Sequence, residues 1–331
     1  MALTFAAGMA SAEAKLLDWT DLDGWAADDH DAARVAFQET CGDLKIGDWP
    51  VLCAMAAKEG ASRTFFETFF RPVEISDGSE ALFTGYYEPE LEGSRVEAGA
   101  FKYPLYRRPS DAPKGQPWLT REEIETSGVL EGRGLELVWL SDPVDKFFLQ
   151  VQGSGRIKLS DGSRLRVGYG GKNGHPYKSI GNELVRRGIF EAHQVSAQTI
   201  RRWVQRNPKE GPKLLWHNPS YVFFREVTRV PANKGPLGAM NRSVTAGRTL
   251  AIDPEFVPLG APVWLEKDGD LPIRRLMVAQ DTGSAIKGAQ RADIFFGSGK
   301  EAGNIAGRTR DTGRMVVLLP VEQAMDLVES R

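Results

Sequence analysis

The sequence predicts a mainly β protein with an α-helical N-terminal part. Three observations carry that expectation. Residues 16–72 hold helical spacing and a helix start signal and end at Arg71-Pro72. From Ala81 onward, short runs rich in β-branched and aromatic residues recur between turn signals. Glycine, at 35 of 331 residues, suits many tight turns between short strands.

Size and composition bound the class. A chain of 331 residues suggests two domains with ample core. Hydrophobic residues at 41% and charged residues at 26% are ordinary for a globular protein. The net charge of −2 gives no basic field, so no nucleic-acid partner is expected. No apolar run reaches the roughly 18 residues of a membrane span. Residues 1–15 (MALTFAAGMASAEAK) are short, apolar and rich in small residues. Ala10-Ser11-Ala12 and Ala12-Glu13-Ala14 both fit a signal-peptidase site, although the basic n-region is missing. The reading is a remnant of an export signal, with a frayed start as the alternative.

The elements follow in order. His30 to Thr40 has helical spacing. Asp48-Trp49-Pro50 is a start signal, with Asp48 as N-cap, for a second helix over 49–70. The two helices lie antiparallel across a short loop, where Cys41 and Cys53 could meet as a disulfide or stay as buried thiols. Ala81 to Glu90 is strand-like, and alternation puts Thr84, Tyr86 and Glu88 on one face. Hydroxyls and a carboxylate beside aromatics suit a sugar; an ordinary half-exposed strand is the alternative. Tyr103 to Pro117 reads as loop, and Thr120 to Glu123 as a capping box opening a helix to Thr126. Leu135–Leu140, Lys146–Val151 and Arg156–Leu159 read as strands, and Asp161-Gly162 as a hairpin turn before a return strand over 163–169. The Gly-rich run Gly168 to His175 lacks the spacing of a phosphate loop and reads as a binding loop. Residues 179–187 and 196–207 look helical. Short strands then recur over 248–252, 262–266, 275–280, 292–296 and 314–319, which suggests a small barrel.

Carboxylates are the chemistry that remains. The four histidines are scattered and the cysteines form no metal cluster, so no metal and no cofactor is expected. Neither cysteine lies in a catalytic signature, and Gly153-Ser154-Gly155 lacks the spacing of a nucleophile elbow. Asp253, Asp281 and Asp293 lie at strand ends or in apolar strands. On its strand Asp293 shares a face with Arg291 and Phe295. Burial raises a carboxyl's pKa, and a carboxyl protonated near neutral pH can act as a general acid. The alternative is that Asp293 pairs with Arg291 or caps a turn.

Six blocks occur in one order: FTGYYEPELEG, FFLQVQGSGRIKLSDGS, GYGGKNGHPYKSIG, NPSYVFF, TLAIDPEFVPLGAPVWL and QDTGSAIKGAQRADIFFGSG. Together they resemble the membrane-bound lytic murein transglycosylase A family, from about Leu82 to Leu319. The last part resembles its 3D domain, whose three aspartates correspond to Asp253, Asp281 and Asp293. The resemblance implies a double-psi β-barrel domain with a second β-barrel domain inserted. Residues 16–90 and 234–331 would form the first, and 91–233 the second, lining a glycan groove. It implies Asp293 as the single catalytic acid/base, with Asp281 and Asp253 supporting. Thr84, Tyr86, Tyr87, Gln152, Ser154, Asn173, Lys178 and Phe295 are the candidate substrate-binding residues, although Tyr86, Tyr87 and Phe295 could equally be core. Ser284 departs from the Gly expected in the family's turn, and would be strained if that position needed positive φ.

The implied reaction is non-hydrolytic cleavage of the β-1,4 bond between N-acetylmuramic acid and N-acetylglucosamine in peptidoglycan, with a 1,6-anhydro product. The alternatives are a two-carboxylate hydrolase of the same glycan and a non-catalytic glycan-binding protein of the expansin type. The implied partners are peptidoglycan strands, with cell-wall synthesis or divisome proteins as candidates. The implied state is a monomer in the periplasm, with outer-membrane association left open because no lipid-anchor Cys follows the export-like segment.

Overall fold

The structure, a computed structural model, describes residues 12–45 and 47–329. Most of the export-like segment, 1–11, lies outside the described residues. The first strand, β1 (Glu13–Leu16), pairs with β2 (Phe70–Ser76) from Glu13↔Ser76 to Leu16↔Val73. Residues 13–15, expected in the export remnant, are therefore part of the fold.

Between these strands stand the N-terminal helices. α1 (His30–Thr40) begins at Asp29, whose side chain accepts the backbone N–H of Ala32, and so serves one of the unpaired donors of a first helical turn. Its buried face carries Ala33, Ala36 and Phe37. Phe37 packs among Trp49, Phe65, Phe66 and Phe70, with ring centroids 6.0–6.4 Å away. The single helix expected over 49–70 is two, α2 (Trp49–Ala56) and α3 (Ser62–Phe69). The break holds Gly60 at φ 136°, a conformation no helix includes. A disulfide joins Cys41 to Cys53, with Cα atoms 5.4 Å apart, and ties the end of α1 to α2.

The chain divides into two units. The first contains the residues up to Tyr87, Pro231–Gly297 and those from Asn304 onward. The second contains Glu88–Val230 and Ser298–Gly303. In chain order the elements continue with β3 (Leu82–Glu88), β4 (Glu90–Ser94), β5 (Tyr103–Tyr106), α4 (Arg121–Thr126), β6 (Glu136–Leu140), α5 (Pro143–Gln152), β7 (Gly155–Leu159) and β8 (Arg164–Lys172). Then come α6 (Ile180–Arg186), α7 (Ala197–Arg206), α8 (Glu210–Trp216), β9 (Val222–Glu226), β10 (Thr249–Ile252), β11 (Pro262–Lys267), β12 (Ile273–Thr282) and β13 (Arg291–Ser298). The chain closes with α9 (Gly299–Ala306), β14 (Arg310–Asp311), β15 (Gly313–Pro320) and α10 (Val321–Glu329).

The first unit is built on a nine-stranded sheet in the order β1-β2-β15-β11-β12-β10-β13-β3-β14. β10 runs parallel to β12 and antiparallel to β13. Thr312 alone links β14, at one edge, to β15, which is bonded between β2 and β11. In a flat sheet those strands would be about 28 Å apart, at ~4.7 Å per strand, and one residue cannot cross that gap. The sheet is therefore rolled into a nearly closed barrel. Gln290 clasps it: its amide donates to Ile75 O (2.7 Å) and Met315 O (3.0 Å) and accepts from Met315 N (2.8 Å). This is the double-psi β-barrel expected, with helices before it. Its core includes Val263, Trp264, Met277, Val278, Ile294 and Val317, all buried.

The second unit carries a six-stranded sheet in the order β5-β6-β4-β7-β8-β9, whose edge strands β5 and β9 approach each other. Three segments depart from expectation. Lys146–Val151, read as a strand, lies inside α5. Asp142 caps that helix through Val144 N (2.7 Å), Pro143 sits in its first turn, and Gly153 at φ 78° ends it. A short apolar run does not separate helix from strand by itself, and the flanking cap signals decide. Tyr103–Tyr106, read as loop, is the edge strand β5, a position where a strand tolerates Pro104. The Gly-rich run begins inside β8, which continues to Lys172 past a register shift between Tyr169 and Gly171. The short helices α8, α9 and α10, of 7, 8 and 9 residues, are absent from the sequence expectation because so few turns give little periodicity.

Candidate active site

In the first unit, the end of β12, the middle of β3 and the first half of β13 bring four polar side chains together, Asp281, Thr84, Tyr86 and Asp293. Gln280, fully buried, donates its amide to Ala36 O of α1 (3.1 Å) and accepts the Thr249 hydroxyl. The next residue, Asp281, is therefore held on a fixed strand end. Its Oδ1 accepts the backbone N–H groups of Thr282 and Ala239, both at 2.9 Å, and its Oδ2 accepts the Tyr86 hydroxyl at 2.9 Å. The loop carrying Ala239 comes so close that a Cβ on Gly238 would lie 2.8 Å from Gln280 O, which requires glycine there.

Asp293 lies opposite Ala251 of β10. Its Oδ1 accepts the Thr84 hydroxyl at 2.6 Å, and Thr84 Oγ1 accepts Arg291 Nη2 at 2.8 Å. No direct ion pair joins Arg291 to Asp293 among the described residues; the contact runs through Thr84. Arg291 is fixed by further bonds to Leu82 O and Ala292 O.

Both carboxyls are made reluctant to ionise. Burial pushes Asp281 up to about 6, although its three hydrogen bonds pull the other way and Asp293 adds to the rise. Burial likewise raises Asp293, opposed by the Thr84 bond and the Arg291 charge. The Tyr86 phenol is held well above its usual range, first by burial and then by Asp281. Two carboxyls with raised pKa values around one hydroxyl-rich spot are the electrostatics of a proton-transfer site.

The remaining candidates divide. Phe295 is 1% exposed and packs behind Tyr86, with ring centroids 5.2 Å apart; it supports that ring and offers no face of its own. Tyr87 is half-buried. Asp253, 2% exposed, accepts Lys287 Nζ (2.9 Å), Gly288 N (3.0 Å) and Glu255 N (3.3 Å). It organises the loops after β10 and before β13, and no hydrogen bond links it to Asp281 or Asp293. Glu88, on the expected sugar face, is fully buried between Arg156 and Arg166. In the second unit, Gln152 is half-buried at the last position of α5, Ser154 is buried and Lys178 is exposed. Asn173 donates both amide hydrogens to backbone carbonyls of Leu119 and Pro219 and accepts Tyr221 N, each at 2.8 Å. It is a strut between loops, with no donor left for a ligand. Ser284 is unstrained: the one non-glycine residue at positive φ among the described residues is Asn241. Sequence reasoning missed the Ala239 N–H, which no side-chain pattern announces. It also missed the Arg291–Thr84 link, which the two-residue spacing of Arg291 and Asp293 hinted at. Among the described residues no cluster of three His, Cys, Asp or Glu could hold a metal.

Comparison with known proteins gives the same picture. A family model described as "MltA specific insert domain" matches residues 82–225, and one described as "3D domain" matches residues 248–319. Membrane-bound lytic murein transglycosylase A of Escherichia coli K12 is 38% identical over 247 residues, covering 71% of this chain. The chain spans 65% of the length of that curated relative, just under two thirds. The crystal structure of a membrane-bound lytic murein transglycosylase from Agrobacterium tumefaciens has 34% identity and a TM-score of 0.84, covering 95% of this chain and 99% of that one. E. coli MltA with bound chitohexaose has 30% identity and a TM-score of 0.74, covering 93% and 94%. Barrel, inserted unit and paired aspartates define a 3D-domain protein with an MltA-type insert. Similarity extends through both units. The chain belongs to the membrane-bound lytic murein transglycosylase A family.

Proposed function

We propose that the protein is a lytic transglycosylase that cleaves the β-1,4 bond between N-acetylmuramic acid and N-acetylglucosamine in peptidoglycan, with Asp293 as its single acid/base. The observation that carries this reading is a carboxyl in a strand, raised by burial and held by a hydroxyl in place of a cation. Protonated Asp293 donates to the leaving glycosidic oxygen. The resulting carboxylate takes the proton from the muramyl C6 hydroxyl as that oxygen attacks C1. The C1–O bond to the leaving sugar breaks, the C1–O6 bond forms, and a 1,6-anhydro ring results. One carboxyl acts twice, whereas hydrolysis would need two carboxylates roughly 5 Å or roughly 6.5–9.5 Å apart. Asp281, in its ionised form, would face the positive charge that develops at C1, and Tyr86 and Tyr87 would line the sugar site, with the Thr84 hydroxyl committed to Asp293 and Arg291. The bound chitohexaose of the E. coli relative supports a glycan as ligand. The family's membrane-bound members support a periplasmic site of action on the cell wall.

Mass spectrometry of muropeptides after digestion of purified peptidoglycan tests this, with Asp293→Asn alongside. Anhydro-muropeptides from the wild type and none from the variant are expected. Reducing-end products would mean hydrolysis and move the central role to Asp281.

A further inference from the structure

A hydroxyl has one hydrogen to give, and its direction is decided by what else touches the oxygen. Thr84 Oγ1 has two side-chain partners among the described residues, Arg291 Nη2 at 2.8 Å and Asp293 Oδ1 at 2.6 Å. A guanidinium only donates, so Arg291 occupies a lone pair of Thr84. The Thr84 hydrogen is then left a single acceptor, Asp293 Oδ1. An oxygen already receiving a hydrogen bond at 2.6 Å is the wrong place for the acid's own proton. That proton belongs on Oδ2.

We propose that Arg291 is a positioning residue: acting through Thr84, it fixes the acid proton of Asp293 on Oδ2, which is thereby the oxygen that gives and regains the proton in the reaction. The inference rests on the acid/base reading of Asp293 given above. Arg291 suits the task because its place is set independently, by the carbonyls of Leu82 and Ala292. The groups around Asp293 come from four strands: Arg291 on its own strand, Thr84 and Tyr86 on β3, Asp281 on β12, and Arg310 on β14 beside Arg291. Of these, Arg291 and Thr84 favour the carboxylate, and both would be weakened together by loss of either.

The test uses Thr84→Val, Arg291→Gln and the double variant of the full-length protein, each first checked for a wild-type melting transition. The rate of anhydro-muropeptide release is followed against pH. Each single variant should lower kcat by about tenfold to a hundredfold with little change in KM, as expected when a reacting group is misplaced. Each should also move the alkaline limb of the profile to higher pH, since a donor or cation favouring the carboxylate has gone. The double variant should lose less than the product of the two single losses, because Arg291 acts through the Thr84 hydrogen bond as well as by its charge. Thr84→Ser, which keeps the hydroxyl, should recover rate relative to Thr84→Val. A limb that stays in place, or losses that multiply in the double variant, would overturn the proposal. Should Arg291→Gln fail to fold, a carbon-13 carboxyl titration of Asp293 in Thr84→Val reads the same shift without turnover. An active Asp293→Asn would instead sink the acid/base reading itself, so the two failures are distinguishable.

Discussion

Glu88, at the end of β3, and Asp293, in β13, are treated in opposite ways. Glu88, the last residue of β3, is fully buried in the second unit. Arg156 Nε meets its Oε2 at 2.7 Å, Arg166 Nε meets its Oε1 at 2.8 Å, and Ser298 donates to it at 2.8 Å. Asp293, in the first unit, receives among the described residues the hydroxyl of Thr84 and no direct guanidinium, Arg291 meeting Thr84 instead. Two direct guanidinium partners make Glu88 a structural post. A hydroxyl carries no charge to neutralise its partner, and burial keeps the Asp293 carboxyl raised above its ordinary range. Burial alone thus does not separate the two. What separates them is whether a cation meets the carboxylate directly.

That contrast can be broken at three further points. The largest effect is expected at Glu88→Ala. It leaves Arg156 and Arg166 partly or fully buried without their counter-charge, so unfolding in urea should show a loss of about 3–5 kcal/mol. A loss below ~1 kcal/mol would mean that the pair is a solvated contact and that the comparison fails on its structural side. Next comes Asp281→Asn. The folded-state pKa of Asp281, about 6, lies above the ordinary 3.8, so the folded protein holds this proton more tightly than the unfolded chain does. The resulting stability is complete below pH ~4 and is lost as pH rises through about 6, by up to about 3 kcal/mol. In Asp281→Asn the unfolding midpoint should lose that decline between pH 4 and 7, and an unchanged slope would show that Asp281 stays ionised throughout. The smallest effect is expected at Lys287→Ala. Lys287 is 59% exposed where it meets Asp253, so thermal melting should report less than about 1 kcal/mol. A larger loss would make Asp253 the buried anion that depends on a single lysine.

Much of the site could be read from alternation along two strands. The pattern of Thr84 and Tyr86 on one face, and of Arg291, Asp293 and Phe295 on another, already named the side chains that meet. What alternation could not supply was which strand lies beside which. Tyr86 reaches Asp281 across 195 residues of chain, and Thr84 reaches Asp293 across 209; the ordered blocks of family resemblance bridged those distances where spacing did not. Asn173 and Asp253 were drawn towards the site by their neighbours in those blocks, and the structure gives both a full set of local partners. Backbone donors such as Ala239 have no sequence signature at all. The helix over 143–152 was concealed by a run of residues, Lys146 to Val151, that favours strand and helix about equally.

The single-residue passage from β14 through Thr312 to β15 has a bearing on how the protein comes into being. β15 lies between β2 and β11, so it unites strands that are distant in sequence, and the barrel closes through long-range pairings. Without β15, β2 lacks its inner neighbour, and Thr84 of β3 meets Asp293 only through a contact that spans 209 residues. A cut at Thr312 therefore leaves Thr84, Arg291 and Asp293 in the chain while freeing the strand that joins β2 to β11. Slow, non-local closure is thus built into the way this carboxyl acquires its neighbours.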